Sequence, residues 1–370
     1  MKKFFVFFLA VTLLFSLAGC PDKKRKPAPL KVFLVVAKSQ NEEKQLLKTF
    51  KAKAKEKNLA ITIKALNDDE KREEKVLQRL LSQKPKGVIL ETTGSPKAGI
   101  LVQKLYRESK IIFLKDVPYD SLGDGAVLPD FKKEAELLAK NLALYEKTGK
   151  VLLLSGSRHQ LSVKLLEENL IKELTALGKA VTTGEIVIKD WQKAKEEVKK
   201  LAKGQSIIAI DGKTGEVLAD IGMKKDQGLV FASSELSPKI AKAIYEDKLL
   251  ASIDPMPEVL AAKAVEEMDG VLKNRGFKGE AKITVKNGEL PVIYTPVRVV
   301  TRENVLELQK TYGEFNSSEK QGQKNEKKEK GKTTRVKITT SQGKTIELTV
   351  EGEITKIETG VGVSGQSKGQ

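Results

Sequence analysis

The alternation of short apolar runs with longer amphipathic stretches is the main pattern along the chain. The first apolar runs, rich in Val, Ile and Leu, read LKVFLVV, AITIKAL, GVILET and KIIFL. Runs of this kind predict buried strands. The helical spacing of apolar residues between them predicts helices over 42–57, over 70–82 and from Pro96 onward. Strands separated by helices of this length form right-handed βαβ units and a parallel sheet.

The same rhythm restarts after the segment LGDGAVLPD, at residues 122–130. Helices are predicted over 131–146, 161–177 and 190–202, with the strands KVLLLSG, GEIVIK, SIIAID, GLVFAS and LLASID around them. We therefore predict an α/β fold of two similar doubly wound parallel-sheet lobes joined by a hinge. The N-terminal lobe is assigned to residues 30–125 and 256–282, and the C-terminal lobe to residues 126–255 and 283–313.

The first 20 residues predict export and lipid attachment. Two lysines precede an apolar stretch that is too short to span a bilayer but typical of the core of a signal peptide. The following Leu-Ala-Gly-Cys resembles a bacterial lipobox, in which Cys20 is lipidated and becomes the mature N-terminus. Residues 21–29, with their prolines and lysines, are predicted to be an extended tether. The chain is therefore expected on the outer face of the cell membrane.

The C-terminal region differs in composition from the two lobes. Residues 314–334 are rich in charge and poor in apolar residues, which predicts a disordered linker. Residues 335–359 alternate apolar and polar positions around Gln342-Gly343 and predict a small β hairpin or meander. Residues 360–370 are predicted to be a disordered tail.

Composition narrows the possible functions. The formal charge is +18, from 67 Lys and Arg against 49 Asp and Glu, but the lysines are interspersed with glutamates on helices and aromatic residues are scarce. This pattern favours solvated helix faces over a nucleic-acid surface, so we expect no nucleic-acid partner. Cys20 is the only cysteine and His159 the only histidine. Intramolecular disulfides, thiolate metal clusters and multi-histidine zinc sites are therefore excluded.

Motifs for catalysis are also missing. The stretch IAIDGKTGEVLADIG contains Gly212-Lys213-Thr214, but the earlier glycine of a phosphate-binding loop is replaced by Ile207. Carboxylates follow several predicted strands, yet nothing in the sequence pairs any two of them as an acid and a base. We expect that the protein is not an enzyme and that it uses no cofactor and no metal.

Several segments, in order, resemble the type I periplasmic binding proteins, in particular the ribose-binding-like branch that also resembles the effector domains of lac-repressor-type regulators. KVFLVVAKSQNEE is similar to the family's first strand and ligand loop, and GKVLLLSGSRHQLSVKLLEENL to the opening of its second lobe. IIAIDGKTGEVLADIG, DKLLASIDPMPEVLAAKAVE and YTPVRVVTRENV resemble later segments of the family. The resemblance covers residues 30–304.

The resemblance implies two lobes that close on a small polar ligand, sugar-like or other, for delivery to an ABC-type permease or sensor. It also implies three hinge crossings, near Gly123 to Leu128, Ile253 to Pro257 and Gly279 to Pro291. The expected protein is a monomer anchored to the membrane by its lipid. The predicted ligand-binding residues are Lys38, Gln40, Asn41, Glu91, Thr92, Asp130, Arg158, His159, Asp211, Ser233 and Asp254.

The chain departs from the sugar-binding pattern at several positions. Its first loop has no aromatic ring to stack on a sugar, and Leu166 occupies the place of a ligand-binding arginine. The charged residues that remain suggest a ligand with a charge or an amine. An alternative is a binding fold that no longer takes a solute and acts as an interaction module in the cell envelope, with the basic linker and hairpin as contact segments.

Overall fold

The structure is a computed structural model that describes residues 28–118, 121–156, 160–313, 333–339 and 345–351. The predicted signal peptide with Cys20, most of the tether, the charged linker up to residue 332 and the C-terminal tail lie outside these residues. The predictions for those segments therefore remain predictions.

The first lobe is built on a seven-stranded sheet of order β11-β12-β5-β4-β3-β1-β2. Its strands are β1 (Leu30–Val36), β2 (Leu59–Ala65), β3 (Gly87–Leu90), β4 (Lys110–Leu114), β5 (Gly125–Pro129), β11 (Ala281–Val285) and β12 (Gly288–Thr295). Its helices are α1 (Lys44–Glu56), α2 (Glu70–Gln83), α3 (Ala98–Tyr106) and α9 (Pro257–Leu272). All neighbouring strands are parallel except β11, which pairs antiparallel with β12.

The second lobe is built on a six-stranded sheet of order β13-β10-β9-β8-β6-β7. Its strands are β6 (Lys150–Ser155), β7 (Ala180–Glu185), β8 (Ser206–Ala209), β9 (Phe231–Ser233), β10 (Ala251–Asp254) and the antiparallel β13 (Arg298–Val300). Its helices are α4 (Phe131–Tyr145), α5 (Leu161–Ala176), α6 (Trp191–Leu201), α7 (Gly212–Ile221), α8 (Pro238–Tyr245) and the short α10 (Gln309–Tyr312). Two 3₁₀ turns, Lys225–Gln227 and Val305–Leu308, complete it.

Each sheet is covered on both faces, as the continuous apolar runs in its strands require. In β1, Val32 and Leu34 pack with α1 and α9 on one face, whereas Val35 packs with α2 and α3 on the other. In the second lobe, β6 places Leu153 against α4 and α5 and Leu154 against α6, α7 and α8. The predicted fold of two doubly wound lobes is confirmed.

The division of the chain between the lobes differs from the one predicted. Residues 126–129 and 283–295 were expected in the second lobe, but β5 and β12 hydrogen-bond to each other in the first sheet. The chain crosses between the lobes at Pro129–Phe131, Asp254–Pro257 and Thr295–Arg298. The second crossing agrees with the prediction. The first and third crossings lie later in the chain than predicted. The reason is that the apolar side chains of β5 and β12 complete the core of the first lobe.

Strands β14 (Thr333–Thr339) and β15 (Thr345–Glu351) form a separate antiparallel pair, with Thr333 opposite Glu351. The hairpin predicted within residues 335–359 is therefore present, and a third strand beyond residue 351 would lie outside the described residues. Among the described helices, none combines the length and apolar character that a bilayer crossing needs.

A close approach between α7 and β9 generates a stability prediction. A methyl group on Gly215 would lie 2.2 Å from Ser233 Oγ, well inside van der Waals contact. We expect Gly215→Ala to lower the free energy of unfolding in urea by about 1–3 kcal/mol, because overpacking a core forces side chains or backbone to move.

The control is Gly270→Ala in α9, where the added methyl group would lie 3.4 Å from the carbonyl oxygen of Gly276. For Gly270→Ala we expect the free energy of unfolding to stay unchanged or to rise by about 0.5–1 kcal/mol, because alanine is a better helix former than glycine. Equal stability of the two variants would contradict this packing.

Candidate functional site

A cavity of about 420 Å³ lies where the carboxyl ends of the strands of both sheets meet. The first lobe contributes the loops after β1, β3 and β4, and the second lobe contributes the loops after β6, β8 and β9. The hinge residues Pro129, Pro255 and Pro257 also line it. This is the position at which open α/β sheets bind ligands, because polar loop residues converge beyond the strand ends.

Lys115 organises the part of the cavity that belongs to the first lobe. Its Nζ lies 2.6 Å from Glu43 Oε1 and 3.0 Å from Glu91 Oε1, and all three side chains are largely buried. The second oxygen of Glu91 accepts a hydrogen bond from the Ala37 N–H at 3.2 Å. Burial raises the pKa of Glu91 to about 7, even though Lys115 opposes the shift. Burial lowers the pKa of Lys115, but Glu43 and Glu91 outweigh it and the net pKa is raised.

Two lysines connect the lobes across the cavity. Lys38, after β1, forms an ion pair with Glu235, after β9, at 2.8 Å. Lys213, at the start of α7, donates from Nζ to the carbonyl oxygen of Asp68 at 3.3 Å. Lys38 holds the pKa of the Glu235 carboxyl below its ordinary value. The two lobes are thus held together by contacts between charged and polar groups.

Asp116, at the end of β4, also links the lobes. Its Oδ1 accepts hydrogen bonds from the backbone N–H of Val117 at 2.7 Å and from that of Ser162, in the first turn of α5, at 2.9 Å. Its Oδ2 is buried and has no hydrogen-bond partner among the described residues. Burial raises the pKa of Asp116 to about 7.

Glu134, in the first turn of α4, brings a further carboxyl group into the cavity from the second lobe. Its side chain is buried, at 4% exposure, and among the described residues no group pairs with it. Burial raises the pKa of Glu134 well above its usual range, and the nearby carboxylates of Glu235 and Asp130 add to the shift.

Four of the predicted ligand-binding residues line the cavity, namely Lys38, Glu91, Thr92 and Asp211. Asp211 is also an N-cap, because it accepts from the Thr214 N–H at 2.9 Å and from the Gly156 N–H at 2.6 Å. Helix α7 therefore begins directly after Asp211, at Gly212. Thr92 Oγ1 accepts from the Gly94 N–H at 3.0 Å and so shapes its own loop.

The remaining predicted residues lie elsewhere. The described lining of the cavity leaves out Gln40, Asn41, Asp130, Ser233 and Asp254. Asp130 caps α4 and Ser233 donates to the Glu235 carbonyl oxygen, while Asp254 accepts from Tyr312 Oη at 2.7 Å and pairs with Arg298. Arg158 and His159 lie outside the described residues, as does the predicted lipidation site Cys20.

Several lining residues were not predicted from the sequence. Glu43, Lys115, Glu235 and Tyr312 make polar side-chain contacts, whereas Glu134 is buried without a described partner. Lys115 follows β4 directly, so the strand-end pattern that led to Glu91 also applied to it. Among the described residues, no group of three or more His, Cys, Asp or Glu side chains has an arrangement that could hold a metal ion.

The buried position of Asp116 predicts how stability depends on pH. Its pKa is about 7 in the folded chain and about 3.9 in an unfolded chain, so the folded state binds the extra proton between these values. Stability is therefore lost as the pH rises through this window. Replacing Asp116 with Asn removes the ionisation and keeps the Oδ1 acceptor. From pH 5 to pH 8, Asp116→Asn should gain about 2–3 kcal/mol in unfolding free energy relative to the wild type.

Urea unfolding at the two pH values measures this gain. Asp190→Asn, at the exposed N-cap of α6, is the control for a general effect of exchanging Asp for Asn. A difference between Asp116→Asn and wild type that is the same at pH 5 and pH 8 would contradict the burial argument.

Solved structures with the same fold are numerous. A glucose-galactose binding protein from Geobacillus stearothermophilus matches with a TM-score of 0.61 and 14% identity, covering 75% of this chain and 98% of its own. A carbohydrate transporter solute-binding protein from Agrobacterium radiobacter, in complex with D-arabinose, matches with a TM-score of 0.63 and 12% identity, covering 78% of this chain and all of its own. A carbohydrate transporter from Acidothermus cellulolyticus, in complex with myo-inositol, matches with a TM-score of 0.57 and 15% identity. The match covers 77% of this chain and 98% of the transporter chain.

No similar sequence was found among curated proteins. The family described as periplasmic binding protein domain matches residues 32–276, which include most of both lobes and two of the three hinge crossings. The order of the strands, the three crossings and the cavity beyond the strand ends agree with that match. The chain belongs to the periplasmic binding protein domain family.

Proposed function

We propose that the protein is an extracytoplasmic solute-binding protein that captures a small polar molecule between its lobes for an ABC-type permease or a sensor. The observation that carries this proposal is the cavity between the lobes, which is lined by polar side chains from both. A volume of about 420 Å³ lies within the range of pockets that take small molecules.

Binding would work through a shift between open and closed arrangements of the lobes. A solute that contacts both lobes binds the closed arrangement better and therefore stabilises it. Lys38 and Glu235 lie on opposite lobes and contact each other across the cavity, so the polar groups needed for closure are in place. Three separate crossings provide a hinge that moves the lobes without unfolding either one.

A sugar-like solute is one form of this proposal. The structures with the same fold include a glucose-galactose binding protein and proteins solved in complex with D-arabinose, α-D-tagatopyranose and myo-inositol. The aromatic side chains in the described lining are Phe131 and Tyr312, and these are the candidates for packing against a ring. Buried hydroxyl groups need hydrogen-bond partners, which Lys38, Glu91 and Thr92 could supply.

The second candidate is an interaction module of the cell envelope that takes no solute. One observation favours it: the buried lysines of the cavity are already paired with carboxylates of the protein itself. Because these ion pairs already compensate the lysine charges, the lobes can stay together without a ligand that supplies a counter-charge.

A thermal unfolding screen with sugars, nucleosides and amino acids separates the two candidates. At a ligand concentration of 100 times Kd, the free energy of unfolding of a solute binder increases by about 2.7 kcal/mol, and its Tm rises by roughly 5–10 °C. The D and L forms of each active sugar are the control, because a built site distinguishes mirror images whereas general stabilisation by a cosolute does not. The absence of any stereospecific shift would favour the interaction module.

Lipid attachment at Cys20 is the proposed anchor, supported by the Leu-Ala-Gly-Cys sequence after the apolar stretch. In a bacterium that processes lipoproteins, the membrane-bound protein should begin at an acylated Cys20, whereas Cys20→Ser should carry no acyl group because the thiol is lost. Ser16→Ala, outside the Leu-Ala-Gly-Cys segment, is the control and should remain with the membrane. Fractionation followed by mass spectrometry of the N-terminal peptide measures both, and an N-terminal peptide without an acyl group in the unsubstituted membrane-bound protein would contradict the proposed anchor.

A further inference from the structure

The charge of the cavity is opposite to that of the chain. The whole chain has a formal charge of +18. The described lining of the cavity, in contrast, contains nine acidic residues and only four lysines. The acidic residues are Glu42, Glu43, Asp68, Glu70, Glu91, Asp116, Glu134, Asp211 and Glu235. Carboxyl groups are therefore concentrated in this cavity, although the chain as a whole is basic.

The lysines of the cavity do not balance this excess. Lys38 is paired with Glu235, and Lys115 is shared between Glu43 and Glu91. Lys213 donates to a backbone carbonyl oxygen, and Lys189 is exposed. Three of the four lining lysines therefore contact groups other than Asp116 and Glu134, and no described contact joins Lys189 to either carboxyl group.

The carboxyl groups of Asp116 and Glu134 can still accept hydrogen bonds from a ligand. Asp116 is 6% exposed, and its Oδ2 is buried without a hydrogen-bond partner, whereas its Oδ1 accepts two backbone N–H groups. Glu134 is 4% exposed and has no partner among the described residues. The two side chains come from different lobes, Asp116 from the end of β4 and Glu134 from the first turn of α4. A group bound by both would connect the lobes.

Glu235 lies within electrostatic range of both carboxyl groups and raises the pKa of each. Buried carboxyl groups without a counter-charge are destabilised as anions, so they keep their protons until a cation replaces them. No metal-binding arrangement exists among the described residues, so an organic cation suits these groups better. An ammonium group supplies three N–H donors and a positive charge, which suits the buried carboxyl groups that line the cavity from both lobes.

We propose that the solute is a small polar molecule with a protonated amine, and that Asp116 and Glu134, on opposite lobes, are the carboxyl groups that compensate its positive charge. This inference rests on the proposed function, because it names the class of solute for the same cavity. An amino sugar and a short diamine share the required chemistry, so the test includes one of each.

The experiment is isothermal titration calorimetry of the full mature chain with pairs of compounds, each an amine and a neutral compound of similar size. D-glucosamine is compared with D-glucose, and 1,4-diaminobutane with 1,4-butanediol. We expect at least one amine to bind at least tenfold more tightly than its neutral partner at pH 7.0. Its affinity should fall by at least threefold at pH 5.5, because the ligand stays charged while Asp116 and Glu134 become more fully protonated. The charged groups around these two carboxyls are Glu235, its partner Lys38 and Asp130.

Glu134→Gln tests the assignment of residues, because it keeps the shape of the side chain and removes its charge. We expect the amine to lose at least tenfold in affinity while the neutral partner changes by less than threefold. Glu136→Gln is the matched control, two residues later on α4 and outside the described lining, where its carboxylate pairs with Lys133 and Lys140. If Glu134→Gln does not fold, as judged by its thermal unfolding, Asp116→Asn takes its place.

The possible outcomes separate this inference from the proposed function. If a neutral compound of the pairs or of the wider screen binds as tightly as the amines, the protein is a solute binder but the amine assignment is overturned. An amine that binds equally well to Glu134→Gln, Asp116→Asn and wild type overturns the assignment of the residues. If no compound of either set binds, the proposed function itself fails and the inference fails with it.

Discussion

The burial of charge between the two lobes is the constraint on which the rest of the structure depends. Parallel strands end at the same edge of each sheet, so the loops after them collect polar side chains and remove them from water when the lobes meet. Carboxylates and lysines taken out of water are strongly destabilising unless each finds a counter-charge or hydrogen bonds. Lys115 meets this requirement for Glu43 and Glu91 within the first lobe. Lys38, whose side chain is 22% exposed, pairs with the half-exposed Glu235 of the other lobe only while the lobes are together.

This constraint links the cavity to the hinge. Separating the lobes would break the Lys38–Glu235 pair, and water would solvate both groups. Because the Glu235 side chain is already 47% exposed, the pair adds only modestly to the stability of the closed arrangement. Asp254 joins the second crossing to this balance, because it accepts hydrogen bonds from the Met256 N–H at 3.0 Å and from Tyr312 Oη at 2.7 Å. Under the proposed function, a solute that compensates the remaining carboxyl groups would shift the balance further toward closure. Recognition and closure would then be two results of the same electrostatic compensation.

The sequence predicted the fold much better than the site. Apolar runs and helical periodicity are local, and they located both sheets and most of their helices. Asp130 and Asp211 were predicted as ligand-binding residues, and the structure shows that both are helix N-caps. The lobe boundary was misplaced because β12 returns to the first sheet beside β5, a pairing between residues more than a hundred positions apart. The Lys38–Glu235 pair spans 197 positions and leaves no pattern in a single sequence. Glu134 was missed because its position in a first helical turn is typical of an ordinary exposed glutamate.

The distance between the lobes tests the central claim most directly. Spin labels at Lys104→Cys on α3 and Lys172→Cys on α5, in a Cys20→Ser background, report this distance by double electron–electron resonance. We expect a shorter and narrower distribution with bound solute than without it, and a longer and broader one when Glu235→Gln removes the ion pair. A distribution that is the same with solute, without solute and in Glu235→Gln would contradict the claim that buried charge controls closure.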